Sequence, residues 1–519
     1  MASGRAAVFA ALILWGFSTL AWAQDVTLTS RDGNVKISGD LLGFDGEFYR
    51  VETVYGELTV DGSGVLCDGP GCPDLEDFIA RLAFSGAPAV GRVLLPALIE
   101  AFATRNAYQA RREAVARDET RYLIVDPSSD RVLGDFAIRL SSSDEGFADL
   151  LADEADIVMS RREVRPDEVT RGRQAGIGDL SAGFQARVIA LDALVPVVVA
   201  SNPVQAVTPT QLAGILSGEI ENWQVLGGPD APIAVHVPGS HTGLAQVMED
   251  RVLGLAGASL LDTAQSHPDG AAVARAVLAD SFALGISSRS QAGAARELGL
   301  SGACGFVLKA TRRAVKTEDY PLAAPMFLYL PARRFPKLVR DFLSYLQQPA
   351  AQLVIRRAGF VDQAPEEIPI RLQGNRFANA IAQAGEDVDL KDLQRMVAVL
   401  APLKRLTTTF RFEAGSAGLD AQSRANARQL ARAVDLGLYD ARRVVFVGFS
   451  DGNGPAAANL RIARRRADAV REAVTNAIET ADLSRIVLSR QAFGEAMPMA
   501  CDDSAWGRQI NRRVEVWVR

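Results

Sequence analysis

The stretch Val188-Ile-Ala-Leu-Asp-Ala-Leu-Val-Pro-Val-Val-Val199 is the segment that best indicates the fold class of this chain. It is almost entirely apolar and rich in β-branched residues, which is typical of strands that are covered on both faces. It predicts two buried strands, one over Val188–Leu191 and one over Val195–Val199. Strands of this kind occur mainly in sheets that carry helices on their faces.

Helix-like segments flank this stretch on both sides. Val93–Ala103 and Phe335–Gln347 have helical apolar spacing, and further short apolar strand candidates lie between them. Strands that alternate with helices along the chain are typical of an α/β domain. We therefore predict one α/β domain over about residues 75–365, within a multidomain chain of 519 residues.

Three loops of this domain combine short polar side chains with glycine or arginine. They are Phe84-Ser-Gly-Ala-Pro-Ala-Val-Gly91, Met159-Ser-Arg-Arg162 and Pro238-Gly-Ser-His-Thr-Gly243. Hydroxyls, a guanidinium and backbone N–H groups at a helix start are the donors that a small tetrahedral anion requires. A glycine-rich turn needed only for steric reasons is the alternative for the first loop. The predicted oxyanion-binding residues are Ser85, Gly86, Ser160, Arg161, Ser240, His241 and Thr242.

A series of further motifs follows in a fixed order along the domain. They are Ser201-Asn-Pro203, Gln211-Leu-Ala-Gly-Ile-Leu-Ser-Gly218, Asn222-Trp223, Gly227-Gly228, Leu284-Gly-Ile-Ser287, Tyr320-Pro-Leu322 and Phe342-Leu…Gln352…Gly359-Phe360. Together with the apolar stretch, this series resembles the PstS-type periplasmic phosphate-binding proteins. The resemblance implies a two-lobed, hinged periplasmic-binding-protein fold of type II that closes on an oxyanion between its lobes.

Two positions depart from the pattern of that family. His236 stands where members commonly have an arginine, and Arg161 stands where many have the acid that accepts a proton from phosphate. The second departure predicts weak discrimination against sulfate, while the guanidinium of Arg161 can pair with a tetrahedral oxyanion through two donors. His236 and His241 either contact the ligand or only make their loop polar.

Residues 405–519 form a further module with its own motif, within a chain of multidomain α/β and α+β class. Its predicted elements alternate: strand Thr408–Phe412, helix Ala421–Val434, strand Val444–Gly448, helix Leu460–Ala477, strand Ile486–Ser489 and the terminal Arg513–Val518. Gly448-Phe-Ser-Asp451 ends a predicted strand, and the following helix places Arg466 15 positions after Asp451 (466 − 451). With Gly494-Glu495 and Asn511-Arg-Arg-Val-Glu515, this pattern resembles the OmpA-like C-terminal domain. The resemblance implies a βαβαβ domain that binds the diaminopimelate stem of peptidoglycan through Asp451, Asn459 and Arg466. The ammonium and carboxylate of that side chain would pair with an aspartate and an arginine.

The remaining segments place these two domains in an exported chain. Residues 1–23 combine Arg5, an apolar run and Ala21-Trp-Ala23, which predicts a cleaved signal peptide rather than a membrane anchor. Residues 24–74 form a small β-rich module, and residues 366–404 form a helical linker. Cys67 and Cys72 are predicted to form a disulfide that closes a small loop. Cys304 and Cys501 either pair with each other or stay buried singly.

Composition excludes several classes of function. The formal net charge is −6, so the chain has no basic field for nucleic acid. Only three histidines occur, which disfavours a metal site and a histidine-dependent nucleophile, and we expect no cofactor. An enzyme is therefore the third interpretation, after an envelope structural protein whose binding fold has lost its ligand.

The leading interpretation is a periplasmic substrate-binding protein for phosphate or a similar oxyanion. An OmpA-like domain would tether it to peptidoglycan and bring it near the outer membrane. An ABC permease or an outer-membrane component is a further candidate partner.

Overall fold

The structure, a computed structural model, describes residues 25–74, 78–385, 388–413, 416 and 418–519. The predicted signal segment over residues 1–23 lies outside the described residues. The chain forms two compact units. The first ends at Ala80 and also includes Arg334–Lys337, and the second comprises Arg81–Arg333 and Leu338–Arg519. In the described ranges, no helix has both the length and the apolar character needed to cross a membrane.

The first unit contains an antiparallel sheet of five strands in the order β4-β3-β2-β1-β5. Its small core contains Val26, Leu28, Tyr49 and Val51. A disulfide joins Cys67 to Cys72 at the end of the last strand. The strands are β1 (Val26–Ser30), β2 (Lys36–Phe44), β3 (Phe48–Thr53), β4 (Gly56–Asp61) and β5 (Val65–Asp68).

The larger part of the second unit is a module that we call the central module, residues 81–333 and 338–363. The predicted α/β class is confirmed here. Its strands are β6 (Ala80–Gly86), β7 (Gln109–Ala116), β8 (Glu119–Asp126), β9 (Arg131–Leu140), β10 (Ile157–Ser160), β11 (Ala186–Val198), β12 (Ala206–Val207), β13 (Ala234–Pro238), β14 (Gln265–His267), β15 (Ala283–Ser288), β16 (Arg296–Glu297), β17 (Gly299–Ser301), β18 (Val307–Leu308) and β19 (Ala323–Tyr329). Its helices are α1 (Leu95–Arg105), α2 (Ser143–Leu151), α3 (Pro166–Gln174), α4 (Pro209–Ser217), α5 (Gly243–Met248), α6 (Gly254–Ala256), α7 (Gly270–Ala279), α8 (Arg312–Lys316), α9 (Lys337–Tyr345) and α10 (Pro349–Arg357).

Strand β11 connects the two halves of the central sheet. Its residues Ala186–Ala193 pair with β19, in a first half-sheet that continues through β10, β6, β9, β8 and β7. Its residues Leu194–Val197 pair with β15, in a second half-sheet that continues through β13 and β14. The prediction of two separate strands is wrong here. The chain stays extended because Asp192, between them, accepts the N–H groups of Ala193 and Ser290 instead of starting a turn.

The remainder of the second unit contains a short bridge and the C-terminal module, residues 404–519. The bridge carries β20 (Glu367–Ile368), α11 (Gly374–Ala382) and α12 (Leu390–Leu400). The module contains β21 (Lys404–Phe410), α13 (Ala421–Asp435), β22 (Arg443–Phe449), α14 (Ala456–Asn476), β23 (Val487–Gly494), α15 (Ala505–Asn511) and β24 (Arg513–Val518). The sheet order is β20-β21-β24-β22-β23, so the last strand of the chain lies inside the sheet.

The central and C-terminal modules are joined by buried polar contacts and one covalent bond. Arg405 donates to both carboxylate oxygens of Asp319, over 2.7 and 2.9 Å, and both side chains are buried. A disulfide joins Cys304, between β17 and β18, to Cys501, before α15. The sequence left this pairing open, and the fold decides it by bringing the two Cα atoms to 5.5 Å.

Candidate functional site

The ends of two strands and the starts of two helices meet on the central sheet. A Cβ atom on Gly146, in the first turn of α2, would lie 2.9 Å from the carbonyl oxygen of Ser85. A Cβ atom on Gly243, at the start of α5, would lie 2.8 Å from Cβ and Cγ of Arg161. The two glycines therefore allow both helices to approach the carboxyl ends of β6 and β10. All three predicted anion loops contribute to this region.

Arg161 is the charged residue at the centre of this region. Its side chain is 1% exposed, and its Nη1 lies 3.4 Å from Oδ2 of Asp192. Its Nε and Nη2 are buried and have no hydrogen-bond partner among the described residues. Burial lowers the pKa of Arg161, while Asp192 opposes the shift. A buried guanidinium with unused donors is costly, and an oxyanion that accepted from Nε and Nη2 would remove that cost.

Asp192 is held firmly beside Arg161 at the midpoint of β11. Its carboxylate accepts the N–H of Ala193 at 2.9 Å, the N–H of Ser290 at 3.1 Å and the hydroxyl of Ser290 at 2.7 Å. The pair therefore lies where the chain passes between the two half-sheets. Ligand pockets form preferentially where two structural halves meet.

The two predicted serine hydroxyls on the strand ends are engaged within the protein. Ser85 donates its hydroxyl to the carboxylate of Asp149. Ser160 donates to the carbonyl of Arg162 at 2.8 Å. Gly86 has φ +130°, and a Cβ atom there would lie 2.1 Å from the carbonyl of Met159, so only glycine fits. Steric demand alone is therefore sufficient to require a glycine at position 86.

The third predicted loop lies at the start of α5. Ser240 and His241 are exposed. The Thr242 hydroxyl accepts the N–H of Ala245 as the helix cap, at 3.1 Å. His236 is buried, and its Nδ1 lies 2.8 Å from Nε2 of His267. Burial and the neighbouring His267 lower the pKa of His236.

The sequence reasoning missed two residues of this region. Ser143 is fully buried at the start of α2, and its hydroxyl accepts the N–H of Arg161 at 3.2 Å. The signal for it was the run Ser141-Ser-Ser143 before Asp144 and Glu145, which predicts a helix start. Asp192 was detectable as the single charge inside the otherwise apolar stretch 188–199.

A second candidate site lies in the C-terminal module. Asp451 follows β22, and its carboxylate accepts from Nη1 of Arg512 at 2.6 Å. Arg466, on α14, places its guanidinium 5.0 Å from the ring centre of Phe412. Burial and the charge of Arg512 lower the pKa of Arg466, and Asp451 opposes this shift. Within the described residues, no hydrogen bond engages the Arg466 guanidinium.

Asn459 supports this second site from the first turn of α14. It is buried, and its amide donates to Oε2 of Glu495 at 2.6 Å and to the carbonyl of Gly454 at 3.3 Å. The structure thus brings Asp451 and Arg466 into electrostatic range of each other, whereas Asn459 is engaged in holding the loop. Arg512 and Phe412 were missed because their contacts depend on the sheet order.

The described part of the chain contains no group of three or more His, Cys, Asp or Glu side chains that could hold a metal ion. Both regions present charged hydrogen-bond donors and acceptors. The first presents unused cationic donors, and the second presents a cation and an anion together.

Part of each module matches a known family. Residues 132–350 match the model of the PBP superfamily domain, and residues 411–512 match that of the OmpA family. Protein SphX of Synechococcus elongatus is 28% identical over 236 residues, covering 43% of this chain and 68% of that protein. The Probable lipoprotein YiaD of Escherichia coli is 36% identical over 78 residues, which cover 15% of this chain and 34% of that protein.

Two solved structures are similar to the central part of the chain. An ABC-type phosphate transport receptor from Vibrio cholerae has a TM-score of 0.41 and 21% identity, with 54% of this chain and 99% of that chain covered. PstS from Borrelia burgdorferi has a TM-score of 0.38 and 17% identity, and the match covers 55% of this chain and 98% of that chain. From the two family matches, the chain contains a PBP superfamily domain followed by an OmpA family domain.

Proposed function

We propose that this protein binds phosphate or a similar oxyanion in the periplasm and is tethered to peptidoglycan by its C-terminal module. The observation that carries the first half is the buried Arg161, whose Nε and Nη2 have no partner among the described residues. The backbone N–H of Arg161 bonds to Ser143, and its Cβ and Cγ lie against the start of α5. The match of residues 132–350 to the PBP superfamily domain supports a binding role for the central module.

The C-terminal module supports the second half of the proposal. Asp451 and Arg466 present opposite charges from a turn and a neighbouring helix, and Arg466 is half-buried without a hydrogen bond among the described residues. A diaminopimelate side chain carries an ammonium and a carboxylate on one carbon. The ammonium would pair with Asp451 and the carboxylate with Arg466, with Arg512 as a second cation.

Titration calorimetry of the full chain with inorganic phosphate tests the first half. We expect binding to the unchanged protein and a loss of at least 30-fold in affinity for Arg161→Gln, since losing one partner of a buried charged hydrogen bond costs about 2–5 kcal/mol. Arg171→Gln is the matched control, because Arg171 is more than half exposed on α3. Failure of the unchanged protein to bind phosphate or sulfate at millimolar concentration contradicts the oxyanion assignment.

Co-sedimentation with purified diaminopimelate-type peptidoglycan tests the second half. Asp451→Ala and Arg466→Ala should each abolish or greatly weaken binding, because either change leaves one charge of the ligand unpaired. Arg464→Ala is the control, since it removes an exposed arginine two positions away on the same helix. An equal effect of Arg464→Ala would indicate diffuse charge attraction instead of a pocket.

A specific observation favours one alternative, an envelope protein that acts mainly as an anchor. Asp192 already neutralises Arg161, and the hydroxyls of Ser85 and Ser160 are engaged by Asp149 and Arg162. In that case the central module would bind no oxyanion while the peptidoglycan interaction persisted. The two experiments above separate the alternatives, because they read the two modules independently.

A further inference from the structure

A cleft lies between the central and C-terminal modules. Some of its polar side chains have hydrogen-bonding atoms without a partner among the described residues. Its volume is about 410 Å³, within the usual range of small-ligand sites, which often form where two modules meet. One wall comes from α3 and the turn before it, another from β11 and β19, and the third from the start of α13.

The first unused group is the carboxylate of Glu163. The residue is exposed in the cleft, and within the described part of the chain no hydrogen bond or ion pair engages its side chain. The surrounding walls partly desolvate the Glu163 carboxylate and so raise its pKa, and Asp420 adds to the shift while Arg251 and Arg424 oppose it. This carboxylate therefore lacks a close cationic partner of its own.

The second unused group belongs to Arg424 on the facing wall. Its Nη1 lies 3.2 Å from Oε1 of Glu413, but its Nε is buried and has no hydrogen-bond partner among the described residues. The third is the buried Tyr329, whose hydroxyl oxygen accepts the N–H of Val164 at 2.9 Å. Burial raises the pKa of Tyr329, so its hydroxyl keeps its proton at the wall of the cleft.

Charged side chains of both signs line the cleft. Glu163 and Glu413 oppose Arg173 and Arg424, and Arg173 also pairs with Asp179 at 2.6 Å. Both guanidinium groups already have a carboxylate partner, whereas the Glu163 carboxylate has none among the described residues. Glu163 therefore favours an ammonium, and the partly exposed Arg424 beside it favours a carboxylate on the same ligand. The remaining lining includes Val164, Val169, Ala186 and Ala421, which offer an apolar surface.

We propose that this cleft binds a small zwitterion of the amino-acid class. The ammonium would pair with Glu163, while the carboxylate would pair with the guanidinium of Arg424, whose side chain is 28% exposed. The ligand's side chain would pack against Val169 and Ala186. Because the walls belong to both modules, such a ligand would bridge them. The cleft is a site distinct from Arg161 and from Asp451.

Ligand-observed NMR on the full chain tests this proposal. The probes are the twenty common L-amino acids and D-alanine, each at 5 mM, with acetate and methylamine as probes that carry only one of the two charges. We expect at least one amino acid to bind, and Glu163→Gln and Arg424→Gln each to weaken it at least tenfold. The matched controls are Glu249→Gln and Arg461→Gln, two exposed charges outside the cleft.

A third variant fills the cleft without removing a charge. Thr170→Trp changes an exposed lining residue, so it should leave the fold intact while blocking the ligand. The proposal is overturned if no amino acid binds, if acetate or methylamine binds equally well, or if Thr170→Trp leaves the affinity unchanged. It is also overturned if Asp451→Ala abolishes the binding, because the amino acid would then occupy the C-terminal module.

Discussion

The ion pair between Asp319 and Arg405 should contribute strongly to stability, because it is buried at the junction of the two modules. Arg405 is 2% exposed and Asp319 11%, and the guanidinium donates to both carboxylate oxygens. Burial alone would raise the pKa of Asp319, but the charge and hydrogen bonds of Arg405 outweigh it and lower the pKa. The stabilisation is therefore present above the unfolded pKa near 4 and is lost as the pH falls through the folded pKa.

Asp319→Ala removes the acceptor and leaves a buried guanidinium behind. Removing one partner of a buried ion pair costs about 3–5 kcal/mol. We expect a loss near the lower limit, about 3 kcal/mol, because Nε of Arg405 retains Glu515 at 3.4 Å and Nη2 retains Thr409 at 3.1 Å. Urea unfolding at pH 7, followed by circular dichroism with the disulfides intact, measures this change.

An exposed ion pair supplies the control for this experiment. On α3, Nη2 of Arg171 lies 2.6 Å from Oδ2 of Asp167, but the side chains of Asp167 and Arg171 are 66% and 56% exposed. Surface pairs contribute little, so Asp167→Ala should change the free energy of unfolding by less than about 0.5 kcal/mol. A loss below about 1 kcal/mol for Asp319→Ala would refute the reasoning, since it would mean that water solvates Arg405 in the folded chain.

Three further predictions concern selectivity, pH and the inter-module disulfide. If the central module binds phosphate, sulfate should bind within tenfold of it, since Arg161 offers donors to both; strong phosphate preference that persists in Arg161→Ala would contradict this. Burial, with Asp420 adding, raises the pKa of Glu318 to about 8. The folded chain therefore holds a proton that the unfolded chain releases between pH 4.5 and 8, and stability falls across that window. Glu318→Gln should raise the melting temperature at pH 8 but not at pH 4; equal shifts would disprove the assignment. Replacing both Cys304 and Cys501 with serine should lower the unfolding free energy by about 2–4 kcal/mol in urea titrations, and an unchanged midpoint would show that the packed interface suffices.

The sequence alone predicted most elements of the C-terminal module. The apolar periodicity placed strands near β21, β22, β23 and β24 and helices near α13 and α14, and the structure agrees to within a few residues. These elements are predictable because strand and helix periods are local properties of the chain. The spacing of 15 residues between Asp451 and Arg466 is local in the same sense, since one turn and one helix separate them.

The central module shows where local patterns stop being sufficient. The apolar stretch at 188–199 correctly predicted buried extended chain, but its two predicted strands form the single strand β11. The continuity depends on Asp192, whose carboxylate is satisfied by Ser290, almost a hundred residues later. A charge in an apolar strand looks like an interruption until its distant partners are known.

The pairings that define both candidate sites were decided by the tertiary structure. Arg161 meets Asp192 only because β10 and β11 flank the same strand, β19, and Asp451 meets Arg512 because β24 enters the sheet beside β22. The Cys304–Cys501 bond and the cleft of Glu163 and Arg424 depend on how the C-terminal module packs on the central one. The sequence supplied the donors, acceptors and local elements. Contacts between residues far apart in the chain are set by packing and strand order, which no local pattern encodes.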